Sequence, residues 1–149
     1  MVGCFYCENG EKLKSLMIKV YEFQKTNVFL NRDQKHLGRC VVELKDHKTE
    51  YFMMTDEEHK DFFFALSVTA EAIYDLFKPD KINYATFGDL VPHVHVHVVP
   101  KYKDGLQWGV PFDDSVPKKI LSDSEYADLV KRLSQKIEEI CKRKEKGKK

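Results

Sequence analysis

Pro92-His93-Val94-His95-Val96-His97-Val98-Val99-Pro100 is the stretch on which the reading of this chain turns. Alternation of this kind is the pattern of a β-strand, in which successive side chains point to opposite faces. The spacing predicts a strand over residues 91–99 that Pro100 ends. Val94, Val96 and Val98 then face a core, and His93, His95 and His97 share the other face. A merely wet face is better served by serine, threonine or lysine. Two chemical readings remain. Neighbouring histidines on one strand face lie roughly 6.5 Å apart, so His93 with His95, or His95 with His97, can hold a metal ion. The outer pair, about 13 Å apart, cannot share one easily. In the second reading one imidazole is a nucleophile and its neighbours handle charge. A reference pKa of about 6.5 leaves the ring largely neutral at pH 7.

Working outward, Gly88-Asp89 turns the chain between this strand and another over 82–87. Lys101 to Lys118 reads as an extended loop that holds Trp108. A final helix starts at Ser122, where Ser122 and Glu125 have capping-box spacing, and its apolar stripe is Leu129, Leu133, Ile137 and Ile140. Upstream, Thr55 and Glu58 cap a long helix over 56–77. Phe62, Leu66, Ala70, Ile73 and Phe77 form its buried stripe, and Pro79 stops it. Strands are expected over 18–23, 27–31 and 39–44, the first two joined by the short connection 24–26 as a hairpin. A short helix over 11–17 follows an N-terminal loop. The result is an α+β fold: about five strands in a mostly antiparallel sheet, a long helix and a C-terminal helix. One domain spans 1–141, and the basic residues of 142–149 form a flexible tail.

Composition narrows the class. The 149 residues suit a single domain, and 42% hydrophobic with 33% charged residues indicates a folded protein. A net charge of +1 supplies no global field toward nucleic acid or membrane. No groove-reading helix or stacking motif points to nucleic acid, and no apolar run approaches membrane-span length. With no secretory signal pattern, the expected location is cytoplasmic.

Cys4-x-x-Cys7 has three readings: idle thiols, a redox pair, or half of a structural zinc site. The redox motif ordinarily follows a strand, and none precedes Cys4. Cys40, in a strand, and Cys141, in a helix, read as packing residues. His36 and His59 read as exposed.

The segment Asn83-Tyr-Ala-Thr-Phe-Gly-Asp-Leu-Val-Pro-His-Val-His-Val-His-Val-Val-Pro100 resembles the signature of the histidine triad (HIT) family, H-φ-H-φ-H-φ-φ with φ hydrophobic, preceded by Asn and Gly. The resemblance extends to the strand before His47, to Thr55-Asp56-Glu57-Glu58 and to the cysteine pair. It covers roughly residues 4 to 112 and is closest to the zinc-containing bacterial-type branch.

That resemblance implies the HIT-like fold and a homodimer whose two sheets join. It also implies a purine nucleotide substrate, a phosphoramidate or dinucleoside polyphosphate split at its α-phosphate. By position, His95 attacks phosphorus to give a nucleotidyl-histidine, and His97 donates to the phosphate. Asn83, Gly88 and Asp89 line the phosphate and leaving-group side, Asn31 meets the ribose, and Trp108 stacks on a base or covers the dimer edge. Zinc-containing relatives use residues that correspond here to Cys4, Cys7, His47 and His93, so a structural zinc is expected. One departure concerns the residues before the triad. Many phosphoramidate hydrolases have Gly-Gln-Ser/Thr where this chain has Gly88-Asp89-Leu90, so a hydroxyl is lost and a negative charge is added. The competing expectations are a nucleotide-binding regulatory protein with little turnover, and a hydrolase whose histidines hold a catalytic metal.

Overall fold

The computed structural model describes residues 1–147. Helix formation follows the caps. In chain order the helices are α1 (Phe5–Glu8), α2 (Glu11–Leu16), α3 (Asp56–Phe77) and α4 (Asp123–Lys146). At the start of α3 the Thr55 hydroxyl accepts from the Glu58 backbone N–H, while the Glu58 carboxylate accepts from the Thr55 N–H at 2.7 Å. Ser122 and Glu125 repeat this reciprocal bonding at α4. Each box satisfies two backbone donors that a helix start otherwise leaves unpaired. Lys78, in the left-handed conformation, closes α3 just before Pro79.

The strands are β1 (Met17–Glu22), β2 (Thr26–Asn31), β3 (Cys40–Leu44), β4 (Lys81–Ala85) and β5 (His95–Lys101). They form one antiparallel sheet in the order β1-β2-β3-β5-β4. The expected α+β class and five-stranded antiparallel sheet are therefore observed. α3 and α4 cover one face, burying Val28, Leu30, Val42, Leu44, Val96 and Val98 against Phe62, Ile73, Leu133 and Ile137. A Leu-to-Ala change in such a cluster typically costs 2–5 kcal/mol. On the opposite face, α1 and α2 fold Tyr6 and Leu13 over Met17, Phe29 and Val41. Gly38, with φ +98°, lets β3 begin: a Cβ there would sit 2.7 Å from the Phe77 ring.

Several expectations are corrected. The triad strand starts at His95, not at residue 91, so His93 precedes it. Pro100 lies inside β5, opposite Ile82. The β3 pairing stops at Cys40–Val98, so beyond that point β5 has only β4 beside it, where a missing N–H is tolerated. The cysteine pair sits on the helical turn α1, with Cys4 as its N-cap and Cys7 inside it, and is not in a loop. Residues 142–146 of the expected flexible tail continue α4, with Arg143 and Lys144 both paired to Glu71 of α3. Residues 148 and 149 lie outside the described residues. His36 is buried, its Nε2 3.0 Å from Gln107 Oε1, and His59 is half-buried. Among the described residues no helix is long and apolar enough to cross a membrane.

Candidate functional site

The β3–β5 register sets the site. His95 lies opposite Glu43, and His97 lies between Val41 of β3 and Ala85 of β4. Their rings stand on the face away from α3 and α4. His95 Nδ1 lies 2.6 Å from the His93 carbonyl oxygen. A carbonyl only accepts, so Nδ1 bears the proton and Nε2 keeps a free lone pair. His97 has the opposite arrangement. Its Nδ1 lies 3.1 Å from a guanidinium nitrogen of Arg39, which only donates, so Nδ1 accepts and the neutral ring bears its proton on Nε2.

The two rings are 5.2 Å apart and steeply inclined. Phe87 and Phe112 flank His97, and the Tyr6 ring lies 5.4 Å from that of His95. Burial lowers the His95 pKa, against the raising effect of the hydrogen bond to the His93 carbonyl. Burial, with the Arg39 charge next to it, pushes His97 down to about 3. Both rings are therefore neutral near pH 7. The face offers a nitrogen lone pair next to a nitrogen donor, a combination suited to nucleophilic attack on an anionic centre.

A second cluster joins this face to the N-terminal segment. Cys4, Cys7, His47 and His93 each offer one ligand atom, and these atoms lie within 4.8 Å of one another. His93 Nδ1 is 3.4 Å from Cys4 Sγ, 3.6 Å from Cys7 Sγ and 3.2 Å from His47 Nδ1. Cys7 Sγ is 3.2 Å from His47 Nδ1. Tetrahedral zinc with ordinary Zn–N and Zn–S bonds separates its ligand atoms by roughly 3.3–3.8 Å, so the spacing fits. The orientation of His93 fits as well. Its Nε2 faces the Leu44 carbonyl at 2.6 Å and Glu43 Oε1 at 3.0 Å, which leaves Nδ1 for a metal. Two thiolates and two imidazoles make a closed set, and of the triad only His93 joins it.

The other expected site residues separate into groups. Asn31, at the end of β2, borders a cavity of about 170 Å³ together with Asp33 and Arg39. Asn83 and Trp108 line a larger one, about 650 Å³, beside β4 with Phe87, Lys101 and Phe112. Lys101 is buried there, its ammonium bound to the Gln107 and Val110 carbonyls, which shapes the Trp108 loop. Gly88 and Asp89 are exposed on the β4–β5 loop and line neither cavity.

Sequence reading passed over Arg39 and Glu43. Both are buried, and both contact a triad histidine. The available signal was the alternation Arg39-x-Val41-x-Glu43, which sets two charges on one face of an otherwise apolar strand.

Comparison with known proteins agrees with this geometry. Residues 14–104 match the HIT domain family. The protein hit of Bacillus subtilis (strain 168) is 32% identical over 125 residues, covering 78% of this chain and 85% of the relative. A histidine triad protein from Bradyrhizobium japonicum superposes with a TM-score of 0.78 at 20% identity, over 86% of this chain and 96% of the other. A HIT-family member from Bacillus subtilis gives a TM-score of 0.61 at 26% identity, over 89% and 95%. With the family match spanning residues 14–104 and the Bacillus subtilis relative 32% identical over 78% of this chain, the chain belongs to the HIT domain family.

Proposed function

We propose that this protein is a nucleotidyl hydrolase or transferase acting at the α-phosphate of a purine nucleotide phosphoramidate or dinucleoside polyphosphate. The observation that carries the reading is the His95 tautomer. Its Nδ1–H is given to the His93 carbonyl, so Nε2 is an unprotonated base. In the first step Nε2 forms a bond to phosphorus. The bond to the leaving group breaks, and that group departs with the electron pair and is protonated from solvent. In the second step water attacks the nucleotidyl-histidine, the N–P bond breaks, and a nucleoside monophosphate is released. A nucleophile other than water makes the outcome a transfer.

His97 Nε2–H donates to a phosphate oxygen as charge builds there. Asn83 and Gly88 belong to the phosphate and leaving-group side with Asp89, and Asn31 to the ribose. Trp108 offers its ring to a base or to the dimer edge. Zinc held by Cys4, Cys7, His47 and His93 secures the N-terminal segment against β5, as in the zinc-containing bacterial-type branch. The protein works as a homodimer in the cytoplasm. The four cysteines form no disulfide, which suits a reducing compartment.

The test is turnover of an adenosine phosphoramidate and of a diadenosine polyphosphate by the native chain and by His95→Ala. Loss of all product in the variant is expected, and native-like rates in it would overturn the reading. Leu90, which is 94% exposed and has no hydroxyl, favours one second reading: a nucleotide-binding regulator with little turnover. Tight nucleotide binding with slow rates on every substrate class would select it.

A further inference from the structure

Arg39 is 8% exposed, immediately before β3, on the same face as the triad. Among the described residues it makes no carboxylate ion pair, and its Nε has no hydrogen-bond partner. The nearby Asp33 is already occupied: its carboxylate accepts from the Lys119 and Lys35 backbone N–H groups and pairs with the Lys35 ammonium at 3.3 Å. Among the described residues the one polar side chain that Arg39 reaches by a hydrogen bond is His97, through the 3.1 Å contact to Nδ1. The Phe112 ring centroid lies 5.0 Å from its Cζ. A buried guanidinium without a carboxylate is costly, and a leucine would fill the same space at less expense. Fold stability therefore does not account for the charge.

We propose that Arg39 is a positioning residue that holds His97 as its Nε2–H tautomer, so that this ring presents a donor to the phosphate next to the lone pair of His95. The proposal rests on the nucleophilic role of His95, but the tautomer can be read without any reaction. Arg39 acts through geometry first: an arginine cannot accept, so its contact with Nδ1 forbids the other tautomer. Its charge also disfavours a second proton on the ring, which keeps His97 neutral while an anionic substrate binds. Loss of Arg39 leaves Nδ1 to water and lets the ring populate both tautomers. The His97 donor is needed most as charge grows on the phosphate oxygens, so the defect falls on kcat and leaves KM close to native.

Long-range proton–nitrogen NMR of the histidine rings, with His97→Gln to assign the signals, reads the tautomer directly. In the native protein at pH 7 His97 is expected to show a protonated Nε2 and a bare Nδ1. Arg39→Met is expected to mix the two tautomers and to lower kcat a few-fold, in proportion to the Nε2–H population lost, at near-native KM. Arg39→Lys, which keeps a donor and a charge, is expected to restore the Nε2–H form and much of the rate. A native His97 protonated on Nδ1 would overturn the proposal, and that result stands even if Arg39→Met fails to fold. Unchanged tautomer and kcat in a folded Arg39→Met would overturn it equally. If instead the His95 reading were wrong, the native tautomer would be as expected and the native protein would show no turnover.

Discussion

Glu43 holds His93 from the side opposite the cysteines: its Oε1 lies 3.0 Å from His93 Nε2, while Nδ1 of the same ring faces Cys4, Cys7 and His47. Glu43 is itself anchored by the Asn27 side-chain amide, which donates to Oε2 at 3.0 Å. Carboxylates in this outer position orient a metal-binding imidazole and raise its basicity. Glu43→Ala is expected to weaken zinc affinity about 10- to 100-fold, measured by competition with a chromophoric chelator. Native affinity in the variant would show that Glu43 only fills space.

The metal cluster also predicts a composition and a stability. Elemental analysis of protein purified without chelators is expected to give about one zinc per chain. Cys7→Ser with chelator is expected to remove the metal and lower Tm by several degrees, since 1 kcal/mol corresponds to about 2–4 °C in a domain of this size. The thermal shift separates a structural metal from a catalytic one. A metal-free protein that keeps native Tm but loses all turnover, regained on adding zinc back, would favour metal catalysis.

His97 ties stability to pH. Its pKa in the folded chain is depressed to about 3, by burial first and by Arg39 second, against about 6.5 in the unfolded chain. Between these values the unfolded chain binds a proton that the folded chain does not. Stability from this source is full above pH 6.5 and is lost as pH falls toward 3. Tm measured from pH 7 to pH 5, above the range where carboxylates titrate, is expected to fall more steeply for the native chain than for His97→Gln. Parallel curves would contradict the shift.

The β4 edge bears on assembly. β4 ends the strand order, so one side of it is unpaired, and Tyr84 and Phe63 beside it are each about half exposed. Edges of this kind invite pairing with another sheet. Analytical ultracentrifugation is expected to find a dimer for the native chain and a monomer for Phe63→Asp combined with Tyr84→Lys. A monomeric native chain, or a dimer that survives both changes, would place the contact elsewhere or remove it.

The fold was legible because its signals are local. Thr55–Glu58 and Ser122–Glu125 sit within one helical turn, and both boxes form as read. Likewise, the valines of the triad run face the core because strand alternation is a property of neighbours. What escaped depends on pairing over long distances. Arg39 and Glu43 acquire meaning only when β3 lies beside β5, more than fifty residues later, and that register is not written in either strand. His36 looked exposed because the loop that covers it, through Gln107, has no periodic pattern. Pro100 continues β5 because β3 stops at Cys40, a limit set by pairing and not by the sequence around Pro100.

Covalent chemistry at His95 is read directly by intact mass. The protein is mixed briefly with an adenosine phosphoramidate or a diadenosine polyphosphate, quenched at high pH, and weighed alongside His95→Ala, with product measured in the same samples. A nucleotidyl adduct is expected on the native chain and none on the variant. An adduct of equal yield on His95→Ala, or neither adduct nor product from the native chain, would contradict it.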